Sequence, residues 1–88
     1  MPYSLEIEEK CKRKLAKAGA RNPELRKAVE GKLAEILDNP YRFKPLRPPL
    51  QNKYRVHIMK SFVMIFDVAE GSKTVRILGF DHHDKVYK

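Results

Sequence analysis

The chain has 88 residues, of which 42% are hydrophobic and 34% charged, and its formal net charge is +8. This length predicts one domain spanning 1–88 with a single modest core, and the composition excludes a disordered chain. No apolar run approaches the length of a membrane span or of a signal peptide, so we expect a cytoplasmic protein with no membrane contact. The single cysteine, Cys11, is interpreted as a partly buried or bystander thiol rather than a nucleophile.

The first forty residues predict a short strand followed by two helices. Residues 3–7 alternate between apolar and polar side chains, which indicates a strand. Residues 8–19 carry apolar side chains at helical spacing, and Gly19 is expected to end this first helix. The sequence Asn-Pro-Glu at 22–24 is typical of a helix start, and the second helix is predicted to end at 38–40.

The second half of the chain predicts a proline-rich linker followed by three strands. Four of the six prolines fall within 40–50, which favours an extended linker over a helix or a central strand. Three strand-like runs follow, and the run from Phe62 to Phe66 is apolar on both faces, as expected for the central strand. The predicted fold class is therefore α+β in the order β-α-α-β-β-β, with a helical hairpin packed on a small, mostly antiparallel sheet.

The first of these three strands places cations on one face. Side chains in a strand alternate between faces, so Lys53, Arg55 and His57 share the face that is turned away from the core. A guanidinium matches the oxygens of a phosphate and stays charged, while an imidazole can exchange a proton near neutral pH. This combination is what chemistry on a phosphodiester requires.

The net charge is concentrated in the second half. Residues 1–40 contain nine Lys/Arg and seven Asp/Glu, a mixture that we interpret as ordinary helix surface. Residues 41–60 contain six cations and no acid, interleaved with aromatic side chains, which predicts binding to nucleic acid. A solvated loop is the alternative interpretation of this stretch. The candidate nucleic-acid-binding residues are Arg42, Lys44, Arg47, Lys53 and Lys60.

The order and spacing of these elements resemble the RelE/ParE toxin family. The similarity lies in a helical hairpin that ends Leu-x-Asn-Pro, a Pro-Leu linker, a Tyr-Arg-Val-x-Ile strand, an apolar strand and a final Ile-Leu-Gly-Phe-x-His-x-x-x-Val-Tyr run. It covers nearly the whole chain. The resemblance implies a RelE-like microbial RNase fold and the toxin of a type II toxin–antitoxin pair.

The RelE branch of the family implies an endoribonuclease that cuts messenger RNA in the ribosomal A site and thereby inhibits translation. The resemblance implies no metal and no other cofactor. It also implies a cognate RelB-like antitoxin that wraps the toxin and blocks it. Operator DNA would be bound only through that antitoxin.

Compared residue by residue, the resemblance implies a catalytic set that is only partly retained. Arg55 and His57 stand on the outward strand face where RelE-like nucleases place basic residues. Val63 stands where the middle strand often carries an arginine, and His83 replaces the arginine of a terminal Gly-His-Arg pattern. Arg55 suits stabilisation of charge on the phosphate, but which other member is the general base and which the acid stays open. The candidate catalytic residues are Arg55, His57, His83 and Tyr87.

Other functions remain open at this stage. The missing middle-strand arginine favours a ParE-like toxin without nuclease activity that inhibits a protein target such as gyrase. An inactive RNA-binding module is a further alternative.

His82 and His83 suggest a metal site. Adjacent residues of an extended segment point in opposite directions, however, and no other residue stands at a metal-ligand spacing from them, so no metal site is expected.

Overall fold

The structure, a computed structural model, describes residues 3–46 and 53–82 as two helices packed on a five-stranded sheet. The strand order is β1-β5-β4-β3-β2, with β1 parallel to β5 and the other neighbouring pairs antiparallel. The elements are β1 (Ser4–Ile7), α1 (Glu9–Arg21), α2 (Pro23–Asp38), β2 (Lys44–Pro45), β3 (Lys53–Ile58), β4 (Phe62–Ala69) and β5 (Thr74–His82). Short 3-10 turns occupy Pro40–Arg42 and Glu70–Ser72.

This architecture confirms the predicted α+β class and the order of its elements. The proline-rich linker adds one feature to the prediction, because it contributes the 3-10 turn and the two-residue strand β2 at the edge of the sheet. Strand β4 lies in the middle of the sheet, as its apolar character on both faces predicted. Neither of the two helices is long and apolar enough to cross a membrane.

Capping side chains fix the start of both helices. The Glu8 carboxylate accepts hydrogen bonds of 3.2 Å from two backbone N–H groups in the first turn of α1. The Asn22 side-chain oxygen accepts a hydrogen bond of 3.2 Å from the Leu25 N–H, and Pro23 occupies the first turn of α2. Each cap satisfies backbone donors that have no partner within the helix. The predicted start of α2 is confirmed, as is its end just before Asn39.

Gly19 does not end α1, contrary to the prediction. The helix continues to Arg21, and Gly19 is buried where α1 meets α2. A Cβ atom at this position would lie 3.3 Å from both Cβ and Cγ of Arg26, which is tighter than ordinary van der Waals contact. Glycine at this position therefore allows the two helices to approach closely.

Two glycine substitutions are expected to change stability in opposite directions. Gly31 lies within α2 and has no neighbouring atom within 4 Å of the place where a Cβ would stand. Gly31→Ala should raise the free energy of unfolding by about 0.5–1 kcal/mol, through helix propensity and a less flexible unfolded chain. Gly19→Leu should lower it by about 1–3 kcal/mol, because the new side chain displaces Arg26. Urea unfolding measures both effects, and shifts of the same sign would contradict close packing at Gly19.

The core lies between the helical hairpin and one face of the sheet. In β3, Val56 and Ile58 are buried on this face, whereas Arg55 and His57 lie on the opposite face, as the alternation predicted. Phe66 of β4 is fully buried at the centre of the core cluster. The sheet therefore presents its other face, with the β3 cations, for function.

Cys11 belongs to this core. Its side chain is 2% exposed, and burial raises the pKa of the thiol to about 11, with the nearby Glu8 carboxylate acting in the same direction. A thiol with so high a pKa stays protonated at neutral pH and is a poor nucleophile. Its interpretation as a structural thiol is therefore supported.

Candidate nucleic-acid interface

A shallow basic groove lies at the edge of the sheet where β3 pairs with β2. Its volume is about 380 Å³, and it opens between the second half of α2, the 3-10 turn with the segment that follows it, and the middle of β3. None of the described residues that line it is acidic. We call it the basic groove; it is lined by Lys32, Arg42, Phe43, Lys44, Arg55, Val56 and His57.

Strand pairing and one ring contact hold the two sides of the basic groove together. Lys44 of β2 lies directly opposite Arg55 of β3 in the antiparallel register. Phe43, which precedes β2, packs edge-to-face on the buried Phe66 ring with 6.0 Å between ring centroids. The Asn39 side chain accepts a hydrogen bond of 3.2 Å from the backbone of the 3-10 turn, which fixes the path of the chain into the groove.

The charge of the basic groove is only partly balanced. The Glu35 carboxylate lies 3.6 Å from the Lys32 ammonium and 3.7 Å from the Arg42 guanidinium. These side chains are exposed, so each ion pair is weak and screened by salt. One carboxylate is thus shared by two cations, and Lys44 adds a further positive charge. The groove therefore favours an anionic ligand.

Four of the predicted site residues meet in this groove. Arg42 and Lys44 come from the predicted nucleic-acid-binding set, and Arg55 and His57 come from the predicted catalytic set. Arg55 is partly exposed and His57 is exposed, so both are accessible from solvent. The fold thus joins two sets that the sequence suggested separately.

The remaining predicted residues lie elsewhere or outside the described part of the chain. Lys53 begins β3 opposite Asp67, and Lys60 is an exposed residue of the turn between β3 and β4; neither lines the groove. The other three predictions fall in segments that the structure does not describe. They are Arg47, His83 and Tyr87.

Sequence reasoning missed Lys32 as a member of the groove. It lies in α2 among residues of both charge signs, so no local pattern sets it apart. The only sequence signal is the short connection between α2 and β2, which keeps the end of the helix beside the linker cations.

Arg76 and Asp67 form a second feature of the outer sheet face that the sequence did not reveal. Two side-chain nitrogens of Arg76 donate to the two carboxylate oxygens of Asp67 at 2.8 and 2.7 Å. The Asp67 side chain is largely buried, and its carboxylate raises the pKa of the Arg76 guanidinium. Because this arginine already has a bidentate acidic partner, we do not count it among the phosphate-binding cations.

The middle strand supplies no cation at the position where the family resemblance implied one. Val63 is fully buried and lies opposite His57 in the register of β3 and β4. A small apolar side chain here cannot contact a phosphate as an arginine would. Within the described segments, phosphate recognition at the centre of this face therefore falls to β3 and the groove.

A metal-dependent chemistry has no support in the described segments. Within residues 3–46 and 53–82, no group of three or more His, Cys, Asp or Glu side chains is arranged to hold a metal ion. His82 instead packs edge-to-face on Phe62, with 5.5 Å between ring centroids.

Known proteins share this fold and much of this sequence. The family model described as the ParE toxin of the type II toxin–antitoxin system parDE matches residues 5–87. A Methanocaldococcus jannaschii protein named "Putative toxin RelE4" is 45% identical over 86 residues, covering 98% of this chain and 92% of that protein.

Solved structures agree with this family match. A chain of the toxin–antitoxin complex RelBE2 from Mycobacterium tuberculosis superposes with a TM-score of 0.75 at 26% identity, covering 94% of this chain and all of that one. A mutant of the E. coli toxin RelE in complex with an antitoxin RelBc peptide gives a TM-score of 0.76 at 22% identity, covering 99% and 92% of the two chains. Since both the family model and the archaeal relative span almost the full chain, this protein belongs to the RelE/ParE family of toxins of type II toxin–antitoxin systems.

Proposed function

We propose that this toxin is an endoribonuclease that cleaves messenger RNA on the ribosome and thereby inhibits translation in the cytoplasm. The observation that carries the proposal is the basic groove, where Arg55 and His57 share one accessible concave surface with three further cations, Lys32, Arg42 and Lys44. Such a surface attracts a phosphate backbone and supplies a group that can transfer protons near neutral pH. No metal or other cofactor takes part in this mechanism.

The chemistry divides into three roles. A base removes the proton from the ribose 2′-hydroxyl, whose oxygen then attacks the adjacent phosphorus and displaces the 5′-oxygen of the next nucleotide. A cation stabilises the negative charge that grows on the pentacoordinate phosphate, and an acid returns a proton to the departing 5′-oxygen. Arg55 is proposed for the charge-stabilising role and His57 for one of the two proton transfers. His83 and Tyr87 are proposed to complete the site.

The other cations of the groove suit the phosphates on either side of the cleaved bond. Lys44 lies opposite Arg55 across the β2–β3 pair, so both can act on one short stretch of backbone. Lys32 and Arg42 lie farther toward α2 and would hold the neighbouring phosphate. Lys53, Lys60 and Arg47 are proposed as additional RNA contacts outside the groove.

Binding through this groove is expected to weaken steeply with salt. Four groove cations that neutralise phosphates of a single-stranded RNA would release counterions and give a slope of log affinity against log salt of about −3. Anisotropy titrations of a catalytically inactive variant with single-stranded RNA, over a range of salt concentrations, measure this slope. Lys44→Gln should make it shallower, whereas Lys12→Gln, a control at an exposed position of α1, should not. An affinity independent of salt would exclude the basic groove as the contact.

A cognate RelB-like antitoxin is the proposed partner. An apolar groove of about 390 Å³ lies along the helical hairpin, with Leu15 of α1 and Leu33 of α2 among its lining residues. An amphipathic antitoxin helix can bury its apolar face there, and its acidic residues would complement the net charge of +8. The similar RelBE2 structure is itself a toxin–antitoxin complex. Operator DNA is proposed to bind only through the antitoxin.

A ParE-like toxin that inhibits a protein target such as gyrase is the second candidate. Two observations favour it: the matching family model is the ParE toxin, and Val63 replaces the middle-strand arginine. This candidate, unlike the nuclease or an inactive RNA-binding module, implies little affinity for RNA at any salt concentration. The salt titration therefore separates it from the nuclease.

A further inference from the structure

The mixed charge of residues 1–40 was interpreted as ordinary helix surface. The cations among these residues are, however, concentrated in one helix. Helix α1 alone carries six Lys/Arg side chains and one acid, Glu9, whereas most of the acids in this region lie outside it. The near balance of charge over residues 1–40 therefore conceals one strongly basic helix.

Four of these cations form a single ridge along α1. Lys10, Lys14, Lys17 and Arg21 follow spacings of four, three and four residues, which places them on one flank of the helix. At a rise of 1.5 Å per residue this ridge is about 16 Å long. We call it the basic ridge. It borders the buried stripe that contains Cys11 without being part of it.

Little acidic charge opposes the basic ridge. The Lys14 ammonium lies 2.8 Å from a carboxylate oxygen of Asp81. Lys10, Lys17 and Arg21 form no ion pair with any other residue in the described parts of the chain. Lys14, Lys17 and Arg21 also line one side of a shallow cavity of about 330 Å³, where Asp81 is the only acid among the described residues. The ridge therefore keeps a net positive charge.

The basic ridge and the basic groove are separate surfaces. Helix α1 packs on β5, while α2 packs on β3, so the two helices cover different parts of the sheet. The residues that line the groove and those of the ridge have no member in common. One short RNA segment bound in the groove therefore leaves the ridge without a ligand.

We infer that the basic ridge binds the phosphate backbone of double-helical RNA. The ridge follows one flank of a regular helix, and α1 contains no aromatic side chain on which an unpaired base could stack. Of the two phenylalanines that line the neighbouring cavity, Phe80 is buried and Phe62 stacks on its ring. Binding of single strands relies on such stacking, whereas an RNA duplex is recognised mainly through its regularly spaced phosphates and its shape. A protein partner would instead need apolar anchors, which the ridge cations do not provide. This inference does not depend on whether the groove cleaves RNA.

A matched pair of double variants tests the inference in the full chain. Lys17→Gln/Arg21→Gln removes two ridge charges, and Lys12→Gln/Lys27→Gln removes two exposed charges elsewhere on the helices. Affinity for a short RNA duplex of mixed sequence is measured against salt for both variants. The ridge variant should bind the duplex about tenfold more weakly, with a salt slope shallower by about 2, while the control keeps an affinity close to that of the wild type.

Equal losses in the ridge variant and the control would overturn the inference, because they would show a response to net charge alone. An unchanged duplex affinity would overturn it as well, and so would a loss confined to single-stranded RNA or to the antitoxin. Thermal unfolding monitors the fold of each variant. If Arg21→Gln impairs folding, Lys10→Gln/Lys17→Gln removes two ridge charges and must give the same loss of duplex binding.

Discussion

Arg55→Ala and His57→Ala are each expected to abolish translational arrest while leaving a folded protein. Removing a group that stabilises transition-state charge typically costs about 10²–10³ in rate, and removing a general acid or base costs about 10²–10⁴. Neither side chain belongs to the buried core, since both project from the outer face of β3. The melting temperature should therefore change by no more than a few degrees.

The measurement is protein synthesis in a purified translation system, with circular dichroism to confirm that each variant is folded. Lys12→Ala serves as the control, because it removes an exposed cation of α1 that lines neither basic surface. This control should arrest translation as strongly as the wild-type toxin. If the double variant Arg55→Ala/His57→Ala remained fully active, the proposed active surface would be wrong.

Expression of the toxin alone is expected to stop growth, and co-expression of its cognate antitoxin is expected to restore it. The proposed partner covers the cationic surface and buries apolar side chains in the hairpin groove near Leu33. Opposite charges should make association fast and sensitive to salt, whereas the buried apolar contacts should make dissociation slow. Growth curves measure the first effect, and surface plasmon resonance at two salt concentrations separates the two rate constants.

Leu33→Asp sharpens this test, because a carboxylate in the apolar groove should accelerate dissociation of the antitoxin. Lys27→Asp, an exposed position of the same helix, is the matched control and should leave dissociation nearly unchanged. A chain that is harmless when expressed alone, despite good yield and a verified fold, would favour the inactive binding module.

Much of the fold was predictable because local patterns and tertiary packing agree. The alternation in β3 predicted that Arg55 and His57 lie on the exposed face of the strand. Successive side chains of a strand point to opposite faces, so both must lie opposite the buried Val56. The cap at Asn22 predicted the start of α2 for a similarly local reason. Gly19 was misleading, because its proximity to Arg26 is a property of the helix pair and has no signature in the neighbouring sequence.

The site was less predictable because it joins distant segments. The linker cations Arg42 and Lys44 were visible as a charged stretch, but their meeting with Arg55 depends on the pairing of β2 with β3. Lys32 joins them only because α2 packs over β3. The basic ridge was hidden for another reason: averaging charge over residues 1–40 removes the difference between the two helices.

The most direct test of the proposed nuclease activity is to map the 5′ ends of a defined messenger RNA incubated with the toxin and stalled ribosomes. The nuclease proposal predicts new ends within the codon in the ribosomal A site, absent when ribosomes are omitted and absent with Arg55→Ala. If the wild-type toxin arrests growth while messenger RNA on stalled ribosomes stays intact, the nuclease proposal is wrong and a ParE-like protein target takes its place.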